Sequence, residues 1–233
     1  HTVSTMLTTP CALVSLRARS AVLMAAASLT DSPGWPPLQR LLDELPVFAV
    51  ADEEGTPVQY DVDGESMAIF YADVLEAAAA VREVPDLDYD LVPVGLGAAY
   101  ALSCEGKAAL VPGATELTAA GMPAGMSAVG QELPLFACTE MSQETEEGGV
   151  VLPLFMSLED CQAAVQQARD ADGDEVALEI VGLSLPSVVE QLSSIAGDAP
   201  SFTFIAPTRS TEHIRDVAST GAAPASTLDV VEE

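Results

Sequence analysis

ELPVFAV at residues 44–50 returns as ELPLFAC at 132–138, at an offset of 88. Each copy is an apolar run of strand length, entered through a Glu-Leu-Pro step and left through an acidic loop, ADEEGTP in one case and TEMSQETEEGG in the other. The elements that follow the two copies come in one order. After the first, TPVQYDVD and SMAIFY read as strands, DVLEAAAAVREV as a helix capped by Asp73, DYDLVPV as a strand and GAAYALS as a helix, with AALVP and ATELTAA closing. After the second, VVLPLFM reads as a strand, SLEDCQAAVQQARD as a helix opened by Ser157 and Asp160, and EVALEIVGL as a strand. SLPSVVEQLSSI follows as a helix capped by Ser184, and SFTFIAP and STEHIRDV close. Phe48 pairs with Phe136, Phe70 with Phe155, Leu96 with Leu185 and Pro112 with Pro207.

Self-similarity of this kind predicts an internal duplication. The expected fold is mixed α/β: two units related by a pseudo-twofold, strands and helices alternating in each, with extended arms at both ends. The boundaries are a leader or arm at 1–37, a first unit at 38–120, a Gly- and Pro-bearing linker at 121–131, a second unit at 132–217 and a tail at 218–233.

Charge narrows the partners. Residues 1–30 hold Arg17 and Arg19 and no acid, leaving all 36 Asp and Glu of the rest against six basic residues. Such a surface cannot neutralise phosphates, which excludes nucleic acid, and it favours basic polypeptides. No apolar run reaches the length of a membrane span; the one at 13–29 is broken by the two arginines. The Ser- and Thr-rich leader reads as a targeting segment or as a retained arm.

The chemical motifs are weak. GLGAAY at 95–100 follows a strand and opens a helix, but Tyr100 stands where a dinucleotide site needs its third glycine, so no cofactor is expected. DLDYD (86–90) and DADGDE (170–175) lack the glycine and glutamate of a calcium loop and read as solvated turns; no metal is expected. Cys11, Cys104, Cys138 and Cys161 form no C-x-x-C pair and read as buried thiols. His213 is placed on the exposed face of the last helix, and no nucleophile motif accompanies it, so no catalytic residue is assigned and an enzyme is not expected.

Phe48, Phe70, Phe136 and Phe155 read either as core or, with Met67 and Met156, as the lining of apolar grooves between the units. Leu13, Leu16, Leu23 and Met24 in the leader, and Val230 and Val231 in the tail, are apolar residues of the arms expected to pack on a partner protein.

The duplicated LPVF strand, the IFY and LFM strands running into helices, LVPVGLGAAYAL, EIVGLSLPSVVEQL and FIAPTRSTEHIRDV together resemble the Tic22-like family over residues 38–217. The resemblance implies a soluble, non-enzymatic import chaperone of plastids with apolar pockets, located in the chloroplast intermembrane space, whose partners are basic presequences. The acidity, the single lysine and the added ends depart from that pattern. They open an alternative: a peripheral structural subunit of a plastid membrane assembly, such as a photosystem with its antenna at the thylakoid, tethered by its arms through other proteins.

Overall fold

The two copies of the opening phrase are the middle strands of two separate sheets. The computed structural model describes residues 30–62, 64–83, 89–144, 150–172, 178–194 and 202–220. The arm residues Leu13, Leu16, Leu23, Met24, Val230 and Val231 lie outside them, as does much of the two Asp-rich turns.

In the first sheet β1 (Pro46–Ala51) lies between β3 (Glu65–Tyr71) and β4 (Asp90–Gly95), antiparallel to both. β3 also pairs with β2 (Gln59–Val62), antiparallel, and with β5 (Ala108–Val111), parallel. The second sheet repeats every relation. β6 (Pro134–Cys138) lies between β8 (Val150–Phe155) and β9 (Ile180–Ser184), antiparallel to both. β8 pairs with β7 (Gln143–Glu144), antiparallel, and with β10 (Phe202–Ile205), parallel. The short β7, inside the acidic loop, is the one strand the sequence reading did not assign.

Helices sit at matching places. α2 (Val74–Arg82), α3 (Leu96–Cys104) and α4 (Ala114–Ala119) belong to the first unit; α5 (Leu158–Asp172), α6 (Leu185–Ser194) and α7 (Thr208–Thr220) correspond to them. Their starts are capped as read: Asp73 Oδ1 accepts the Leu75 N–H at 2.8 Å, Ser157 Oγ the Asp160 N–H at 3.3 Å and Ser184 Oγ the Ser187 N–H at 3.4 Å.

Strand register corrects two of the paired landmarks. Phe48 faces Tyr71 across its ladder and Phe136 faces Phe155. Phe155 therefore corresponds to Tyr71, and Phe70 to Leu154. Likewise the Ala72 N–H bonds Val111 C=O and the Met156 N–H bonds Ile205 C=O, so Pro112 corresponds to Ala206 and Gly113 to Pro207. A one-residue slip sends a side chain to the opposite face of the sheet, so matching Phe to Phe by letter crossed the two faces. Phe48 with Phe136 and Leu96 with Leu185 stand: the Leu96 N–H reaches Leu45 C=O at 2.9 Å, and the Leu185 N–H reaches Leu133 C=O at 2.8 Å.

The sheets share one core. Val47, Ala49 and Phe70 meet Leu135, Ala137 and Leu154 there, under Leu96 and Tyr100 of α3 and Leu185 and Val189 of α6. α1 (Trp35–Leu42) seals it and has no counterpart; the stretch at the same offset, PAGMSAVG, is not helical. This helix crosses the 37/38 boundary and packs on both units, against α3 and α6. Its Trp35 ring lies 5.7 Å from that of Tyr100. At Gly34 a Cβ would lie 2.5 Å from the Ser193 carbonyl oxygen of α6, so only glycine admits this approach. Among the described residues no helix is long and apolar enough to cross a membrane.

Candidate functional site

Where the units meet, the two closing helices aim their N-termini at carboxylates of the other helices. The Ala114 N–H donates to Glu76 Oε1 at 2.6 Å, and the Thr208 N–H donates to Asp160 Oδ2 at 2.9 Å. Glu76 and Asp160 hold the same position, three residues past their caps. The bare N–H groups and positive end of a helix favour an anion there. Asp160 is thus the acid of Ser157's capping pair by position, but its carboxylate serves α7 instead.

Between those contacts lies an ion cluster. Arg209, second residue of α7, gives Nη2 to Glu116 Oε1 of α4 at 3.1 Å and stands with Nη1 3.5 Å from Asp73 Oδ2. Glu116 is about 5% exposed, and its Oε2 has no hydrogen-bond partner. Burial pushes the Glu116 carboxyl above its ordinary range; Arg209 pulls it back, and the charges of Asp73 and Glu76 push it up again. A Cβ at Gly113 would collide with Glu116 Oε2, so a larger residue before α4 would displace that carboxylate. The cluster borders a cavity of about 10 Å³, room for about one water. Its walls include Ala72 with Met156 and Gly113 with Pro207, corresponding residues of the two units. Such pairs converge where an approximate twofold axis passes.

A second feature is an open cleft of about 340 Å³ beside the first sheet, walled by Pro46, Pro93, Val94 and Ile214 with Asp43 and Glu44 at its side. It forms because α7 of the second unit lies across the outer face of the first sheet. His213 is therefore not on an exposed face: its ring meets that of Phe48 edge-on, at 5.7 Å and 80°.

The six candidate groove residues take the other reading offered for them, burial. Phe48, Phe70, Phe136, Phe155, Met67 and Met156 are all buried, because both faces of the central strands are covered, one by the shared core and the other by helices. Of the six, only Met156 borders the small cavity. GLGAAY has a packing explanation. A Cβ at Gly95 or Gly97 would lie 2.6 or 2.5 Å from Asp43 Oδ1 or Gln39 C=O, and Asp43 Oδ1 accepts the Ala98 N–H at 2.8 Å. The helix terminus that would cradle a phosphate is filled by a carboxylate of this chain. Cys104, Cys138 and Cys161 are free and buried, and burial lifts the Cys104 and Cys161 thiols to about 11. Among the described residues no group of three His, Cys, Asp or Glu is placed to hold a metal.

Sequence reading missed the Arg209 cluster and the cleft. Arg209 sits in the quoted FIAPTRSTEHIRDV, but its partners come from the other unit, and nothing local marks a long-range ion pair. The buried Glu116 in ATELTAA was the available signal, an acid in an otherwise small-residue helix.

The sequence matches no protein-family model and no curated protein. Solved structures of Tic22 proteins from two organisms share the fold. Tic22 from Plasmodium falciparum superposes with a TM-score of 0.64 at 16% identity, over 79% of this chain and 98% of that one. Anabaena Tic22, described as a protein of protein transport, superposes with a TM-score of 0.60 at 19% identity, over 78% of this chain and 96% of that one. The fold of this chain is the Tic22 fold.

Proposed function

We propose that this chain is a non-enzymatic polypeptide-binding protein of protein import in a plastid setting, a distant relative of the Tic22 proteins. The observation that carries the reading is the shared fold, which extends over nearly the whole of both Tic22 chains and joins this one to a protein described by transport. The surface chemistry supports it. An excess of carboxylates draws in cationic segments, and the cleft beside β4 offers prolines and aliphatic side chains next to Asp43 and Glu44. Clients of this kind are basic, acid-poor presequence-like peptides.

The test is a titration of such a peptide at low and at physiological ionic strength, paired with aggregation of an unfolded client in the presence of the full chain. Affinity should fall by about tenfold as salt shortens the screening length, and aggregation should slow. A chain that binds no peptide at either ionic strength and leaves aggregation unchanged would end this reading.

A further inference from the structure

The two sheets differ at one edge in a way that concerns binding. β4 and β9 are corresponding outer strands, each joined on one side to β1 or β6. The bond from the Leu185 N–H to Leu133 C=O fixes the alternation along β9. With Pro134 facing Ser184 and Phe136 facing Gly182, the backbone groups of Val181 and Leu183 point to β6, and those of Gly182 and Ser184 point away. Among the described residues no strand pairs with that outer side.

In the first unit the bond from the Leu96 N–H to Leu45 C=O sets the same alternation: Leu91, Pro93 and Gly95 point away, and Pro93, opposite Phe48, holds the place of Gly182. Proline has no N–H to offer, which is how natural sheets blunt an edge. Pro93 also lines the cleft beneath α7, with Ile214. Among the described residues the second unit has neither protection. Gly182 stands in place of the proline with nothing within 4 Å of where a Cβ would be, and Leu183 beside it is 37% exposed. Acids flank the strand: exposed Glu140 and Glu179 at its Ile180 end, and exposed Glu132 before Leu133 at the other.

We infer that the outer edge of β9 takes an extended basic polypeptide as an added strand. Main-chain bonds to Gly182 and Ser184 supply the register, and the flanking acids select cationic side chains. This rests on the polypeptide-binding reading and gives it a place besides the cleft of the first unit: the edge of the second sheet.

The probe is a short labelled peptide of alternating lysine and valine, titrated onto the full chain by fluorescence anisotropy, with amide exchange followed by NMR. Binding should slow exchange at Gly182 and Ser184. Gly182→Pro, which copies the first unit and removes no bond to β6, should weaken binding by about tenfold or more. A second arm leaves the protein untouched: the same peptide N-methylated on alternate residues should lose affinity by about as much, and a glutamate–valine peptide should not bind. Unchanged affinity for Gly182→Pro and for the methylated peptide, with Gly182 unprotected, overturns the edge assignment while leaving polypeptide binding standing. Equal binding of the glutamate peptide overturns the charge selection. Protection of Gly182 that rises with protein concentration in the absence of peptide gives the edge to a second copy of this chain, and that also overturns the inference. No binding of this peptide or of a presequence-like one removes both readings.

Discussion

The outer face of the first sheet and that of the second begin from the same strand phrase and are covered differently. Around Phe48 the cover is Val74 and Ala77 of α2, with Ile214 of α7 borrowed from the other unit. Around Phe136 it is Phe155 with Cys161, Leu158 and Ala164 of α5, all from its own unit. The helices have traded length to match: α2 has 9 residues and α7 has 13, whereas α5 has 15 and α4 has 6. Strand pairing is fixed by the backbone ladder and admits little change, because a slip of one residue inverts every side chain. Helical cover needs only apolar atoms at the right depth, so it can come from either neighbour. On these outer faces, among the described residues, the first unit borrows cover from the second and the second uses its own.

Truncating the two equivalent phenylalanines measures that asymmetry most strongly. Phe48→Ala and Phe136→Ala each remove a nearly fully buried ring, and each should cost about 3–5 kcal/mol in urea unfolding. The distinction lies in what loosens with them. Amide exchange in Phe48→Ala should rise in both α2 and α7, and in Phe136→Ala in α5 alone. If α7 is unaffected by Phe48→Ala, the borrowed cover is not what holds it.

Arg209 is the next largest. It is the cation of α7 that faces Asp73 and Glu116, and Arg209→Leu leaves two carboxylates without it. A fully buried pair broken this way costs about 3–5 kcal/mol; with Arg209's side chain 30% exposed, about 2 kcal/mol is expected. Glu116 adds a pH signature. Its folded carboxyl binds a proton more tightly than the unfolded one, because burial raises it. The folded state therefore carries the extra proton just above the ordinary carboxylate range, and stability falls as pH rises through that window. Glu116→Gln should flatten this slope in an unfolding series taken from acid to neutral pH. A steeper slope in the variant would assign the titration to another group.

What was legible in the sequence was whatever a local pattern dictates. The alternation and turns gave the strands, Asp73, Ser157 and Ser184 marked helix starts, and the repeated phrase gave the duplication and the equivalence of β1 with β6. What failed was set by geometry across the units. Phe70 was matched to Phe155 by identity, but parity along the strand decides faces, and the loops between landmarks hide it. His213 reads as an exposed helical residue until α7 is known to lie over Phe48. The apolar phenylalanines were open to a groove reading because a sequence shows which side chains seek burial and not which element arrives to bury them. Gly95 and Gly97 read as a helix entry and not a phosphate cradle, but the neighbour that requires them, Asp43, was hidden because it comes from 55 residues away in its bond to Ala98.

That bond supplies the smallest and cleanest comparison. The helices α3 and α6 correspond, and their first turns are satisfied in opposite ways. α3 has no side-chain cap of its own, and its Ala98 N–H is met at 2.8 Å by Asp43, which follows α1. α6 uses its own Ser184, whose Oγ accepts the Ser187 N–H at a long 3.4 Å. α1 has no counterpart in the second unit, so the duplicated helix without a local cap is capped by the residue that follows this unpaired helix. A carboxylate at a helix N-terminus acts through both the hydrogen bond and the dipole. Asp43→Ala should therefore cost about 1–2 kcal/mol, whereas Ser184→Ala should cost about 0.5 kcal/mol. Asp43 also ties α1 to α3 against Gly95 and Gly97, so its loss should speed amide exchange in α1, and the loss of Ser184 should not. Equal costs, with exchange in α1 unchanged by Asp43→Ala, would mean that α1 is held by Trp35 and Leu42 alone and that the long-range cap contributes nothing to joining it to the first unit.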